Sequence, residues 1–159
     1  MRAAVLTVSD RVSRGAAEDT SGDALAGLLH EDGHEVERRV VPDEPDRIAA
    51  ALRELASSSA LVLTTGGTGV APRDVTPEAT LTVVERLVPG IAEALRADSL
   101  AKTPHGLLSR GVAGIAGRTL VVNLPGSPGG CRDGYAVLRP ALPHALALIA
   151  DEQTTHRQT

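Results

Sequence analysis

One stretch near the middle of the chain constrains the fold more than any other. Residues 61–65 are all apolar or β-branched, which predicts a strand buried on both faces. Residues 66–69 read Gly-Gly-Thr-Gly, a loop that permits positive φ angles and lets a ligand approach main-chain N–H groups. Thr76, Pro77 and Glu78 then predict a helix start, with threonine as N-cap and proline at the first helical position. Together these features predict an α/β domain with a phosphate-sized anion site.

The glycine loop does not match the two best-known phosphate-binding fingerprints. No Lys-Ser/Thr pair follows at the spacing of a Walker A motif, and residues 70–72 read Val-Ala-Pro where a dinucleotide fingerprint needs a third glycine. A tight connection in an ordinary α/β protein is therefore the alternative interpretation of the glycines alone. The cation Arg73 and the carboxylate Asp74, which follow at once, favour a binding site over that alternative.

Composition limits the classes of protein that this chain can be. The 159 residues predict a single domain over 1–150 and a polar C-terminal tail over 151–159. A net charge of −4 without a Lys/Arg-rich run argues against a nucleic-acid partner. The single cysteine, Cys131, excludes an internal disulfide and a thiolate zinc site, and the single aromatic residue, Tyr135, excludes base-stacking platforms. Because no apolar run is long enough for a membrane and the chain begins directly with a strand, we expect a cytoplasmic protein without a membrane partner.

The order of the predicted elements gives the fold class. Three strand–helix units, a tight pair of strands and a closing helix indicate an α/β three-layer sandwich, with a mostly parallel sheet, one antiparallel strand and helices on both faces. We expect the helix that starts at Thr76 to continue and to bury Thr80, Val83, Val84 and Leu87. Further expectations are helix N-caps at Thr20 or Ser21 and at Ser127, a loop over 102–106, strands over 107–115 and 118–124, and a last helix that bends near Pro140 and Pro143.

Three carboxylates come directly after predicted strands. Right-handed crossovers bring the carboxyl ends of parallel strands to one edge, so we expect Asp10, Asp43 and Asp74 to converge there with the glycine loop and residues 125–127. A single aspartate in such a position is more often a helix cap or a turn residue, but three of them beside a glycine loop favour a site. Mg²⁺ takes one or two carboxylates plus phosphate oxygens and water. The edge therefore suits a Mg²⁺–nucleotide and attack on a phosphoryl group.

Two other site chemistries fit the chain less well. Ser127 lies in Pro-Gly-Ser-Pro-Gly and so lacks the Gly-x-Ser-x-Gly elbow of a serine hydrolase. The five histidines are scattered without ligand-type spacing, and we interpret them as surface or packing residues. Cys131 in the last helix is interpreted as a small buried hydrophobe.

Several short motifs together resemble the molybdenum-cofactor biosynthesis family of MogA/MoaB type. The glycine loop with its preceding threonines and residues 72–79 carry the closest likeness. Further matches, in order and at the right distances, are residues 8–10, 18–22, 41–43, 108–110 and 124–128. The resemblance extends from residue 5 to about residue 149. The motifs are specific together, although none is specific alone.

The resemblance implies molybdopterin adenylyltransfer, in which Mg²⁺-ATP and molybdopterin give adenylyl-molybdopterin and pyrophosphate. It implies Asp43 and Asp74 as the catalytic and Mg²⁺-binding carboxylates. By the same resemblance, the nucleotide and its phosphates are bound by Ser9, Asp10, Gly66, Gly67, Thr68 and Gly69. The implied molybdopterin contacts are Arg73, Thr76, Ser109, Arg110, Pro125, Gly126 and Ser127. A homotrimer or hexamer and a molybdenum-insertion protein as partner are also implied.

One departure from the family pattern keeps alternatives open. Residues 129–132 read Gly-Gly-Cys-Arg, where adenylyltransferases of the family often carry a lysine or a similar polar residue, so this segment is more similar to the MoaB branch. The alternative function is a MoaB-like molybdopterin-binding protein with weak or no adenylyltransferase activity. A stand-alone module of the kind fused to molybdenum-insertion proteins is a third reading. Retention of both Asp43 and Asp74 favours the enzyme.

Overall fold

The computed structural model describes residues 1–151, and residues 152–159 of the expected polar tail lie outside the described residues. The strands are β1 (Arg2–Val8), β2 (Glu35–Val41), β3 (Leu61–Thr65), β4 (Arg86–Leu87), β5 (Ala113–Ala116) and β6 (Thr119–Leu124). The helices are α1 (Asp10–Ser13), α2 (Thr20–Glu31), α3 (Pro45–Ala56), α4 (Thr76–Leu81), α5 (Pro89–Lys102), α6 (Pro128–Leu138) and α7 (Leu142–Ile149). Two short 3-10 helices cover Pro104–Leu108 and Arg139–Ala141.

The strands form one sheet of six in the order β2-β1-β3-β6-β5-β4. The first four in this order pair in parallel, whereas β5 pairs antiparallel with both β6 and β4. The fold class predicted from the sequence, a mostly parallel sheet with one antiparallel strand, is therefore confirmed. Because β1, β2, β3 and β6 run in the same direction, the loops that follow them meet at one edge of the sheet.

Helices cover both faces of this sheet. One core packs α2, α6 and α7 on one face, with Leu25, Leu29 and Tyr135 among its fully buried side chains. The other core packs α3 and α4 on the opposite face, where Ile48 and Leu52 are fully buried. Every residue of β3 is buried, as a strand covered on both faces requires. Within residues 1–151, no helix has both the length and the apolar composition needed to cross a membrane.

The prediction of one long helix after Thr76 is wrong. Helix α4 ends at Leu81, and Arg86–Leu87 pairs instead with β5 as a two-residue edge strand. Val83 and Val84 do pack on the core, but Leu87 is 55% exposed. A cluster of β-branched and apolar residues fits helical spacing and strand pairing equally well, so the tertiary partner decides.

Three smaller boundaries also differ from the sequence-based expectations. The N-cap of α2 is Asp19 rather than Thr20 or Ser21, because the Asp19 carboxylate accepts a hydrogen bond from the Gly22 N–H. The expected loop over 102–106 and the start of the strand over 107–115 are occupied by the end of α5 and the first 3-10 helix, so β5 begins at Ala113. The last helix, which was expected to bend near Pro140 and Pro143, is interrupted at Pro140 by the second 3-10 helix, which separates α6 from α7.

Candidate functional site

The glycine loop after β3 adopts a conformation that only glycine accommodates. Gly66 and Gly67 have φ angles of 96° and 68°. A Cβ atom on Gly66 would lie 2.3 Å from the Val8 carbonyl oxygen, and one on Gly67 would lie 2.3 Å from Thr76 Oγ1. The loop is therefore packed directly against the end of β1 and the start of α4.

Thr76 holds the glycine loop from the helix side. Its hydroxyl donates to the Gly66 carbonyl at 2.9 Å, and its N–H donates to the Gly67 carbonyl at 3.1 Å. The side chain is fully buried and stands at the first position of α4 rather than at the predicted N-cap, which is Val75. Thr76 thus shapes the loop from within instead of facing a ligand.

The N–H groups of the loop remain available for an anion. In residues 1–151, the N–H groups of Gly67, Thr68 and Gly69 donate to no protein acceptor, whereas the Gly66 N–H donates to the Leu124 carbonyl. Gly67, Thr68 and Gly69 also line the large cavity described below. Consecutive free N–H groups in such a loop form a concave anion site.

Two of the three predicted carboxylates interlock at the sheet edge. The N–H of Asp10 donates to Asp43 Oδ2 at 2.8 Å, and the N–H of Asp43 donates to Asp10 Oδ1 at 3.0 Å. Arg73 grips the same Asp10 carboxylate through Nε at 2.6 Å and through a terminal nitrogen at 3.0 Å. Arg73 is therefore paired with Asp10, and it is not among the residues that line the cavity described below. Ser9 caps α1 by accepting from the Val12 N–H.

The carboxylates have different electrostatic environments. Burial raises the pKa of Asp43, and the negative charges of Asp10 and Asp74 raise it further. The hydrogen bond from Arg73 lowers the pKa of Asp10, with the Asp43 N–H adding to the effect. The charge of Arg73 offsets this effect only in part, so Asp43 is a partly buried carboxylate whose negative surroundings a bound cation would relieve.

Both Asp43 and Asp74 lie against the glycine loop. A Cβ atom on Gly67 would lie 3.2 Å from Asp43 Oδ1, and a Cβ atom on Gly69 would lie 2.9 Å from Asp74 Oδ2. The Asp74 carboxylate also accepts from the Ala71 N–H at 3.0 Å. In the described part of the chain, no group of three or more His, Cys, Asp or Glu side chains is placed to hold a metal ion. A cation here would therefore have two protein carboxylates and would need oxygen ligands from the substrate or from water.

Arg110 fastens the far side of the same loop. Its guanidinium donates to the Gly69 carbonyl at 2.7 Å and to the Asp74 carbonyl at 2.6 Å, and it also pairs with Glu78. Its N–H donates to the Thr68 carbonyl at 2.8 Å. Arg110 therefore positions the loop, and each of its three guanidinium nitrogens has a protein acceptor.

A cavity of about 750 Å³ opens beside the loop, within the size range of small-molecule sites. It is bounded by the glycine loop, α5, the first 3-10 helix and the beginning of α6. The predicted residues that line it are Gly67, Thr68, Gly69, Asp74, Ser109, Pro125, Gly126 and Ser127. The predicted residues outside its lining are Ser9, Asp10, Asp43, Gly66, Arg73, Thr76 and Arg110.

The start of α6 forms one part of the cavity wall. Ser127 is the N-cap of α6, as the sequence predicted, and its hydroxyl accepts from the Gly130 N–H at 3.1 Å. Cys131 behind it is fully buried, and burial raises the pKa of its thiol to about 11. The cysteine is therefore an unreactive packing residue, as expected.

Sequence reasoning missed one buried polar residue beside the cavity. The Asn123 amide nitrogen lies 3.0 Å from Thr64 Oγ1 and 3.1 Å from Thr80 Oγ1, and its oxygen accepts from the Val112 N–H at 3.2 Å. Asn123 ties β6 to β3, α4 and the segment before β5. A single amide in the otherwise apolar stretch of β6 was the available signal.

Sequence reasoning also missed the charged wall that α5 and α6 contribute. Arg96, Asp98, Lys102 and Asp133 all line the cavity. The spacing of Asp98 and Lys102 at i and i+4 on one helix was the only signal, and Asp133 comes from a different element.

The sequence and geometry of this site agree with one protein family. The family's sequence pattern, described as "Probable molybdopterin binding domain", matches residues 4–144. The chain belongs to this family. The resemblance found in the sequence motifs is therefore confirmed.

Individual members of the molybdopterin-binding domain family match over most of this chain. A molybdopterin adenylyltransferase of Helicobacter pylori strain J99 is 42% identical over 91% of this chain and 85% of the relative. A crystal structure of the molybdopterin biosynthesis enzyme MoaB from Thermus thermophilus superimposes with a TM-score of 0.87 at 50% identity, covering 93% of this chain and 95% of that one.

Other relatives contain this domain within a longer protein. The molybdenum cofactor synthesis protein cinnamon of Drosophila melanogaster is 42% identical over 98% of this chain. This chain spans only 26% of the length of that relative. The domain therefore occurs both nearly alone and as one part of a larger chain.

Proposed function

We propose that this protein is a molybdopterin adenylyltransferase. A terminal phosphate oxygen of molybdopterin attacks the α-phosphorus of ATP, a new P–O bond forms, the bond between the α-phosphorus and the bridging oxygen breaks, and pyrophosphate leaves. The observation that carries the proposal is the glycine loop with its free N–H groups, which lies between Asp43 and Asp74 on the wall of a cavity of about 750 Å³. Relatives named molybdopterin adenylyltransferase at 42% identity support the enzyme over the binding-protein alternative.

Mg²⁺ fits the donors that the site provides. Two carboxylates without a third protein ligand match the preference of Mg²⁺ for one or two carboxylates plus phosphate oxygens. The raised pKa of Asp43 marks a position where positive charge is favourable. In our proposal Asp43 and Asp74 hold the ion, which neutralises charge on the phosphates.

The chain's own groups then position the reactants. The N–H groups of Gly67, Thr68 and Gly69 bind phosphate oxygens, which stabilises the charge that spreads over them during transfer. Thr76 and Arg110 fix the loop from either side, so that these donors are already oriented before the substrate arrives. Catalysis in this proposal is mainly alignment and charge stabilisation.

Assembly, location and partners are part of the same proposal. We propose a homotrimer or a hexamer, the assembly that the family resemblance implies, and exposed apolar side chains such as Leu87 at 55% and Leu107 at 69% are available for contacts between copies. The longer relatives, of which this chain spans 26% and 22%, carry further sequence beside this domain, and we propose a molybdenum-insertion protein as the corresponding separate partner of this chain. We place the reaction in the cytoplasm.

Release of pyrophosphate from Mg²⁺, ATP and molybdopterin tests the proposal. We expect turnover by the wild-type protein and a loss of about 100-fold or more in Asp43→Asn and in Asp74→Asn. Asp46→Asn on the exposed face of α3 is the matched control and keeps full activity. Tight binding of molybdopterin without pyrophosphate release would establish the binding-protein alternative instead.

A further inference from the structure

Three charged side chains form a cluster on the cavity wall that α5 and α6 build. Lys102 Nζ lies 2.8 Å from Asp98 Oδ2 and 3.4 Å from Asp133 Oδ2. All three residues line the cavity, whose neighbouring lining includes the apolar side chains of Leu95 and Leu108. The cluster carries a net charge of −1, so it is not a second site for phosphate.

The fold does not need this cluster. The Lys102 and Asp133 side chains are 50% and 52% exposed, and ion pairs at such positions contribute about 0–1 kcal/mol to stability. Asp98 is the least exposed of the three at 31% and has one oxygen engaged with Lys102. The carboxylate and ammonium groups of the cluster therefore remain able to form hydrogen bonds with a ligand in the cavity.

The described residues that line the cavity include no Phe, Tyr or Trp, and the one aromatic ring among them is the imidazole of His105. Tyr135 is the only Phe, Tyr or Trp of the chain, it is 1% exposed, and its hydroxyl donates to Asp32 outside this cavity. A flat heterocycle in the cavity can therefore lie between aliphatic side chains and against one imidazole ring, but neither surface distinguishes one heterocycle from another. Its identity has to be read by hydrogen bonds along its edge.

We propose that Asp98 and Lys102 are the specificity-determining residues that read the amino-oxo edge of the pterin ring. A pterin presents N–H donors at N2 and N3 and an acceptor at O4. The carboxylate of Asp98 accepts from N2 and N3, the ammonium of Lys102 donates to O4, and Asp133 holds the ammonium in place. This assignment rests on the proposed function, which makes molybdopterin the substrate.

A pair of simple ring compounds separates this edge recognition from a structural role. Pterin carries an amino group at position 2, whereas lumazine carries an oxygen there and keeps the same O4. A site built to accept from N2–H rejects the 2-oxo ring, since oxygen then faces oxygen. We expect the wild-type protein to bind pterin at least about tenfold more tightly than lumazine in an equilibrium fluorescence titration.

Two variants are expected to change the affinities for pterin and lumazine in different ways. Asp98→Asn supplies one donor and one acceptor, which suits lumazine, so the preference for pterin falls by about tenfold or more. Lys102→Met removes the donor to O4, which both rings share, so both bind more weakly and their ratio stays the same. Glu93→Gln, exposed on the same helix and outside the cavity lining, is the matched control and leaves both affinities unchanged.

The assignment is overturned by any of four results. Two concern the wild type: equal affinity for the two rings, or no binding of either at millimolar concentration. Two concern Asp98→Asn: an unchanged ratio of the two affinities, or a loss of adenosine binding rather than pterin binding. Pyrophosphate release from the same variants keeps the two proposals apart. If Asp98→Asn still releases pyrophosphate and keeps the wild-type preference for pterin, only the edge recognition is rejected. If the wild type prefers pterin but releases no pyrophosphate, only the adenylyltransfer is rejected.

Discussion

Asp10 and Asp43 each accept a hydrogen bond from the other's main-chain N–H, at 3.0 Å and 2.8 Å. One residue follows β1 and the other follows β2, so the pair locks two loops together at the carboxyl edge of the sheet. Arg73 binds the Asp10 carboxylate with two nitrogens and leaves Asp43 without a charged partner. The pair is therefore asymmetric, and Asp43 is the member that gains from a cation.

The first prediction concerns this asymmetry. Asp10→Asn keeps an oxygen that can accept from the Asp43 N–H but removes a negative charge that raises the pKa of Asp43. We expect the pKa of Asp43 to fall toward its ordinary value, and the acidic limit of cation binding to move to lower pH with it. Carboxyl ¹³C NMR titration of the ligand-free protein measures the shift. An Asp43 pKa that stays the same or rises in Asp10→Asn would contradict the role given to the Asp10 charge, and Asp46→Asn is the control.

The second prediction concerns the glycine loop. Gly67→Ala combines a φ of 68° with a Cβ atom 2.3 Å from Thr76 Oγ1 and 3.2 Å from Asp43 Oδ1. Gly117→Ala is the matched control, because its φ is 60° and nothing lies within 4 Å of its Cβ. Both variants carry the cost of a left-handed alanine, about 1 kcal/mol, but only Gly67→Ala displaces the loop.

Two measurements separate these effects. We expect urea denaturation to show a loss in Gly67→Ala that exceeds the loss in Gly117→Ala by about 1–3 kcal/mol. We expect the affinity for Mg²⁺-ATP to fall at least about tenfold in Gly67→Ala alone, because a loop shift misplaces the anion donors. Equal stability losses in the two variants would show that the loop yields to the added methyl group.

The third prediction concerns Arg110. Arg110→Lys keeps the charge but loses the planar fork that reaches the Gly69 and Asp74 carbonyls together. We expect KM for Mg²⁺-ATP to rise about tenfold, since the loop and Asp74 lose their shared anchor. Arg118→Lys in the exposed turn before β6 is the control and keeps the wild-type KM. A KM for Arg110→Lys equal to that of the wild type would assign Arg110 to stability alone.

The sequence predicted the site's framework because the framework follows from chain order. The positions of Asp10, Asp43 and Asp74 at one edge need only parallel strands and right-handed crossovers. The glycine loop needs only a local pattern of residues, and so does the Ser127 cap of α6. These features depend on near neighbours or on topology, which a single sequence carries.

The partners of long side chains could not be predicted in the same way. Substrate contacts by Arg73 and Arg110 stay a prediction, but their hydrogen bonds to Asp10 and to the loop carbonyls were not predicted. The reach of an arginine lets it select among many acceptors, and the choice depends on side chains brought from other elements. For the same reason the cluster of Asp98, Lys102 and Asp133, which joins α5 to α6, had no continuous signature in the sequence.

The last prediction concerns the hydrogen bond between Tyr135 and Asp32, at a distance from the cavity. The buried Tyr135 hydroxyl donates to Asp32 Oδ2 at 2.6 Å, and this bond lowers the pKa of Asp32, with Arg139 adding to the effect. We expect Tyr135→Phe to lower the melting temperature at neutral pH by roughly 2–4 °C and to leave pyrophosphate release unchanged.

The pH dependence of that loss has a defined sign. A carboxylate with a lowered pKa in the folded state contributes stability above its ordinary pKa, and the contribution disappears as the pH falls through the folded value. The difference in melting temperature between wild type and Tyr135→Phe should therefore shrink on acidification through the pKa of Asp32. Melting curves of both proteins across that range measure it, with Tyr135→Phe also combined with Asp32→Asn to close a double-mutant cycle. A difference that stays constant with pH would mean that the Tyr135 hydroxyl stabilises the fold without the charge on Asp32.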